Sequence, residues 1–295
     1  MIIQHFYDPT TFTLTYIVFD DVTRDAVVID PVLDFDPASA TTSTTSVEAV
    51  TTFVREHGLT VHVTFETHAH ADHLSGSQFL RTHLGARVAI GARITEVQEV
   101  FRPIFGVALA TDGRQFDMLL HDRQRVDAGS LVIDVLATPG HTPACISLRI
   151  GDAVFTGDAL FVEDYGTGRC DFPRGDAAEL YHSIHEVLYA LPPETRVFVG
   201  HDYPPSGREL RFETTIGVEL RENVQLRGET TLDDFVAFRC GRDKTLAPPR
   251  LLFPSVQVNI DGGNLPAADA SGQRRLHLPL NVGKPTADDG SPVIR

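Results

Sequence analysis

The chain has 295 residues, 42% of them apolar and 22% charged, a composition that supports a sizeable core and excludes wholesale disorder. Asp and Glu number 40 against 25 Lys and Arg, a net charge of −15, which argues against a nucleic-acid surface. No run approaches the roughly 20 apolar residues of a membrane span, and the N-terminus MIIQHFYDPTTF lacks a basic, then apolar, leader pattern, so a cytoplasmic protein is expected.

Residues 13–20 (TLTYIVFD) and 25–30 (DAVVID) are β-branched apolar runs around a short turn, and they predict a hairpin. A polar loop over 37–46 follows. Thr45 with Glu48 matches a capping box, and Val47, Val50, Phe53 and Val54 give a helical stripe closed by Gly58. Residues 61–67 predict a strand with histidines crowding its C-terminal end. Strands and helices then alternate: a helix over 74–84, strands over 87–90 and 131–137, and a hairpin over 145–150 and 153–156. A helix capped by Asp176 carries Leu180, Ile184, Val187, Leu188 and Leu191, and a buried strand covers 196–199. Residues 1–240 predict the catalytic domain. Residues 241–295, rich in Pro and Gly around one apolar patch (LLFPSVQVNI), predict an extension packed on the same domain, with a loose last dozen residues. Paired strands with helices between them favour a mixed α/β (α+β) architecture.

Thr67-His68-Ala69-His70-Ala71-Asp72-His73 packs three His and one Asp into six residues. A divalent transition metal needs several imidazole and carboxylate ligands converging from a rigid support. One loop cannot surround an ion, so further ligands must come from distant segments. His141, Asp158 and His201 each follow a glycine just beyond a predicted strand. Taken singly, His57, His83 and His121 read as ordinary polar residues. The three widely spaced cysteines, Cys145, Cys170 and Cys240, build no disulfide framework.

T-H-x-H-x-D-H at 67–73, P-G-H-T at 139–142, T-G-D at 156–158 and G-H-D-Y at 200–203 together resemble the metallo-β-lactamase superfamily over most of the chain. The resemblance implies an αββα sandwich with a metal site at one edge between the sheets. In its dinuclear hydrolases one metal takes the positions of His68, His70 and His141. The other takes those of Asp72, His73 and His201, with Asp158 bridging. Gly166-Thr167-Gly168-Arg169-Cys170-Asp171-Phe172 is more discriminating, because it resembles the G-x-G-R-x-D-F stretch of the persulfide dioxygenases, as do G-H-D-Y and parts of 213–260. That resemblance, to the bacterial type without a rhodanese domain, implies one Fe(II) per chain on His68, His141 and Asp158, the catalytic set. His70, Asp72, His73 and His201 then become outer-shell groups or, in the alternative, ligands of a second metal.

The implied reaction is oxidation of glutathione persulfide by O2 to sulfite and glutathione, with iron supplying a redox step that zinc cannot. Arg169 is the expected carboxylate fork for the substrate and Tyr203 its hydrogen-bonding partner. Cys170 is read as a small pocket-side residue. About 55 residues follow position 240, too few for a second catalytic domain of ordinary size, so a rhodanese or sulfide:quinone oxidoreductase is expected as a separate protein. A homodimer fits the resemblance, and neither nucleic acid nor membrane is expected as a partner. The alternative is a glyoxalase II-like thioester hydrolase with two Zn2+. Arg169-Cys170-Asp171-Phe172 and the lack of that enzyme's basic C-terminal motif argue against it. A metal-binding regulator without turnover is a third class, and the complete ligand set argues against that.

Overall fold

Alternation along the first hairpin builds the core. In Thr13–Phe19 successive side chains point to opposite faces. Leu14, Tyr16 and Val18 join the largest buried cluster, while Ile17 and Phe19 join a second one. Asp25–Ile29 does the same, with Val27 and Ile29 on one side and Ala26 and Val28 on the other. A sheet apolar on both faces must be covered on both. Helices Thr45–Glu56 and Ser77–Leu84 cover the outer face with Val50, Val54 and Leu80. A second sheet covers the inner face.

The computed structural model describes residues 1–282, so the expected loose end lies outside the described residues. The first sheet runs Ile2–Asp8, Thr13–Phe19, Asp25–Ile29, Thr60–Glu66, Arg87–Gly91, Met118–Leu120. The second runs Arg125–Ala128, Leu131–Ala137, Ile146–Ile150, Ala153–Phe155, Arg196–Phe198, Glu213–Thr215. Between them Tyr16 meets Phe155 and Phe198 edge-on, with ring centroids 5.2 and 5.6 Å apart. Each such pair contributes about 0.5–1.5 kcal/mol beyond its burial. Phe155 and Phe198 face inward, so their neighbours Val154 and Val197 face outward. They share a buried cluster with Leu180, Ile184 and Leu188 of the helical stretch 177–188. Among the described residues, no helix is long and apolar enough to cross a membrane.

Three expectations need correction. The Thr45–Glu48 capping box does not form. Thr44 takes the N-cap position, and the carboxylate of Asp34, from a neighbouring strand, accepts from the Ser46 amide at 2.9 Å and the Ser46 hydroxyl at 2.6 Å. The helix expected from residue 74 starts at Ser77, because Leu74–Ser75 is drawn into a three-stranded sheet beside Val32–Asp36. The boundary placed at 240 falls inside a helix, Leu232–Asp243, where Arg239 and Asp243 pair across one turn. Beyond it, helix Leu252–Asn259 lies against Leu74–Ser75 and the helix Ile94–Phe105.

Candidate metal centre

The metal-ligand candidates sit on loops that leave strands at one edge of the sandwich. Thr60–Glu66 leads into 67–73, Leu131–Ala137 into His141, Ala153–Phe155 into Asp158, and Arg196–Phe198 into His201. The two sheets meet here, where Leu14 N–H donates to Gly200 O at 2.9 Å and Thr13 bridges to His201. Gly157 turns at φ 50°, and a Cβ there would lie 2.4 Å from the Thr67 hydroxyl oxygen, so only glycine lets these two loops touch.

Each imidazole is held by one nitrogen, and the bond it makes fixes the tautomer. His68 Nδ1 donates to Thr67 Oγ1 at 3.0 Å, and that hydroxyl passes its own proton to Asp30 at 2.8 Å. His70 Nε2 donates to Asp30 at 2.9 Å, with Glu66 3.4 Å away. His73 Nδ1 donates to Asp72 at 3.0 Å, His141 Nδ1 to Arg169 O at 2.6 Å, and His201 Nδ1 to Phe12 O at 3.2 Å. With one nitrogen tied up in this way, each ring has its other nitrogen left for a further partner. Buried His68 Nε2, His70 Nδ1, His73 Nε2 and Asp158 Oδ1 have no hydrogen-bond partner. Buried acceptors without donors are costly, and a cation among them supplies what they lack.

Two donor sets lie side by side. His68, His141 and Asp158 offer ligand atoms within 4.8 Å of one another, and so do His70, Asp72 and His73. His201 Nε2 stands 3.3 Å from Asp158 and 3.5 Å from Asp72. A third set, Asp30, Glu66 and His70, shares His70 with the second and is also bonded by Thr67, Ser75 and Ser77. Burial, with His70 and His141 alongside, pushes His68 well below the ordinary imidazole range. Burial also works against charge on Asp72, yet the His201 and His73 imidazoles hold its carboxyl well below the usual range. His57 and His83, by contrast, donate to carbonyls one helical turn back, those of Phe53 and Phe79, as ordinary surface residues do.

A cavity of about 490 Å3 opens over Asp72, His141 and Asp158. Arg169 and Tyr203 both line it. Tyr203 stacks on His201, with centroids 5.5 Å apart, and leans on Tyr165 at 4.9 Å. The guanidinium of Arg169 is engaged by Asp171 at 2.5 and 2.7 Å and by Ala247 O at 2.8 Å. Cys170 is buried, which raises its thiol pKa, and its amide is held by Asp243.

Several residues that matter here were not singled out from sequence. Asp30 underlies both His68 and His70, at a left-handed φ of 50°. Its setting, an acid just past a strand, matches that of Asp158 and offered a signal. Asn259 offered none. It lies buried on the helix Leu252–Asn259, its Nδ2 donates to His70 O and His73 O at 2.8 Å, and its Oδ1 accepts from Ser75 N–H at 2.8 Å. Arg239 and Asp243 grip the other loop in the same way, through Thr167 O at 3.2 Å and Cys170 N–H at 2.8 Å.

The sequence profile of the metallo-beta-lactamase superfamily matches residues 9–201. A protein named probable metallo-hydrolase from Burkholderia pseudomallei is 46% identical, covering 96% of this chain and 100% of that protein. Glyoxylase B2 of Dictyostelium discoideum is 40% identical over 95% of this chain and 97% of its own length. Human mitochondrial persulfide dioxygenase ETHE1 is 33% identical over 69% of each chain. The crystal structure of ETHE1 from Myxococcus xanthus superposes with a TM-score of 0.73 at 35% identity, covering 90% of this chain and 100% of that one.

Proposed function

The chain belongs to the metallo-β-lactamase superfamily, and from that premise we propose that it is a persulfide dioxygenase with one Fe(II), acting on glutathione persulfide in the cytoplasm. The observation that carries the reading is the compact set His68, His141 and Asp158, two imidazoles each held at Nδ1 and a carboxylate, of which His141 and Asp158 line an open cavity. That donor set suits non-haem iron and leaves coordination positions free. The 33% identical persulfide dioxygenase and the G-T-G-R-C-D-F stretch support the same choice.

Bound iron would supply the electron transfer that lets persulfide and O2 react. The protein's part is positional. Thr67, through Asp30, and the Arg169 carbonyl hold the Nδ1 side of His68 and His141, which leaves the Nε2 of each toward Asp158. Asp72 spends an oxygen on the Thr13 hydroxyl at 3.0 Å and on His73. In this reading it serves as an outer support. The cavity's aromatic wall, Phe161, Tyr165 and Tyr203, keeps the reacting sulfur away from bulk water. Overall, persulfide, O2 and water give thiol, sulfite and protons.

A second reading has its own observation. His70, Asp72 and His73 form a second donor set, which suits a dinuclear zinc thioester hydrolase, and a relative named glyoxylase B2 is 40% identical. The sequence argument from a missing basic C-terminal motif also loses weight, because Arg242 and Arg250 line the cavity. One paired assay tests the proposal. The iron-loaded protein is expected to consume O2 and release sulfite with glutathione persulfide, and to leave S-lactoylglutathione intact. Thioester cleavage without O2 uptake would transfer the protein to the hydrolases.

A further inference from the structure

Asp72 is the inner end of a row of hydroxyl contacts that the ligand sets do not use. The Thr13 hydroxyl lies 3.0 Å from Asp72 Oδ2 and 3.3 Å from His73 Nδ1. It also lies 2.8 Å from the Thr11 hydroxyl, which in turn stands 2.6 Å from Asp8 Oδ2. The row joins two cavities. Asp72 lines the one of about 490 Å3 that opens over His141 and Asp158. Asp8 lines another, of about 620 Å3, whose wall includes residues of the segment 32–46. Thr11 touches both, and Thr13, fully buried, lines neither. The outer end is fixed in place, because Asp8 also accepts from the Thr10 amide at 3.0 Å and the Thr11 amide at 3.2 Å.

The hydrogen count along this row is uneven. Two hydroxyls stand between two carboxylates, so three oxygen–oxygen contacts share two hydrogens. With Thr13 donating to Asp72 and Thr11 to Asp8, nothing fills the contact between the hydroxyls. With both hydroxyls turned toward Asp8, the empty contact lies at Asp72. Close acceptors without a hydrogen between them are unfavourable, and one added proton completes the row. We propose that Asp72, Thr13, Thr11 and Asp8 form a relay that carries protons released in the substrate cavity out to the second cavity. The step balances. A proton on Asp72 Oδ2 passes to Thr13 Oγ1 as Thr13 gives its own hydrogen to Thr11 and Thr11 gives its own to Asp8, from which a proton leaves to water. Every O–H bond that breaks is matched by one that forms, and rotation of the two hydroxyls resets the row. The relay rests on the proposed reading, in which Asp72 binds no metal and persulfide, O2 and water give thiol, sulfite and protons. A substrate that fills its own cavity shuts out water there, so those protons need a path that the substrate does not block.

The test measures O2 uptake and sulfite release from glutathione persulfide in the iron-loaded wild type, Thr11→Val, Thr11→Ser and Asp8→Asn. Thr11→Val and Asp8→Asn are expected to lower kcat about 100-fold, the lower end of what a positioned proton donor or acceptor contributes. Iron content and kcat/KM are expected to stay unchanged, because the slowed step follows the chemistry. Thr11→Ser keeps the hydroxyl and is expected to keep the rate. Added dimethylimidazole, a proton carrier whose methyl groups hinder metal binding, is expected to restore kcat in the two slow variants. A wild-type kcat in both would overturn the relay. So would a loss that the carrier does not restore, since a merely structural role gives it nothing to carry. No O2 uptake by the iron-loaded wild type would bring down the reading of the site and the relay with it, whereas unaltered variants of an O2-consuming protein would bring down the relay alone.

Discussion

In the loop 67–73 the chemistry is carried by side-chain ends. Every histidine there has one nitrogen tied to a near neighbour and one turned inward. In the region 232–259 the side chains reach the same centre differently. Asn259 and the Arg239–Asp243 pair bond to backbone groups of His70, His73, Ser75, Thr167 and Cys170, across 70 to 190 positions of sequence. The first region offers lone pairs. The second holds the loops that offer them, so the carboxy-terminal helices are part of the metal centre although they supply no ligand candidate to it.

The sharpest break in this comparison is on the ligand side. Asp158→Ala or His141→Ala should abolish metal binding and reduce activity to background while melting stays close to that of metal-free wild type, measured by metal analysis and calorimetry. Arg239→Ala should come next. It strands Asp243 as a buried, unpaired charge and should cost about 3–5 kcal/mol in denaturant unfolding. Arg239→Met combined with Asp243→Leu should recover much of that loss. Asn259→Ala leaves two carbonyls and one amide buried without partners, and should cost about 2–3 kcal/mol. It should also weaken the metal about 10- to 100-fold in a chelator competition, as lost outer support does. If Asn259→Ala destabilises the fold without loosening the metal, the grip is merely structural.

The smallest effect lies away from the centre. Burial raises the Glu219 carboxyl well above its usual 4.5, and Oε1 has no partner. The folded chain therefore keeps a proton that the unfolded chain releases. Stability from this group is greatest below the unfolded pKa and falls as pH rises above it. Glu219→Gln should remove that dependence, so its melting advantage over wild type should grow between pH values of about 5 and about 8.

Legibility from sequence follows the same division. The hairpin at 13–29, the strand at 60–66 and the strand leading to His201 announced themselves by β-branched runs, because each is packed on both faces. The ligand candidates were legible because a metal demands rare residue types at close spacing. The cap on helix Thr45–Glu56 was misread because a carboxylate from another strand, Asp34, outcompeted the local box. Asn259 was invisible, since one Asn in an apolar patch has no local pattern and its purpose appears only when residues 186 and 189 positions away fold beneath it. The guanidinium of Arg169, expected from a motif to fork a substrate carboxylate, is engaged by Asp171, two positions on, and by Ala247 O, 78 positions away and outside any local pattern.

The most direct test of the account is the metal itself. Protein purified without oxygen should be analysed for iron and zinc, then exposed to nitric oxide and examined by EPR. The account expects one iron per chain and a high-spin iron–nitrosyl signal that changes when glutathione is added, as three protein ligands and an open cavity require. Two zincs per chain, with no nitrosyl signal after iron loading, would contradict it.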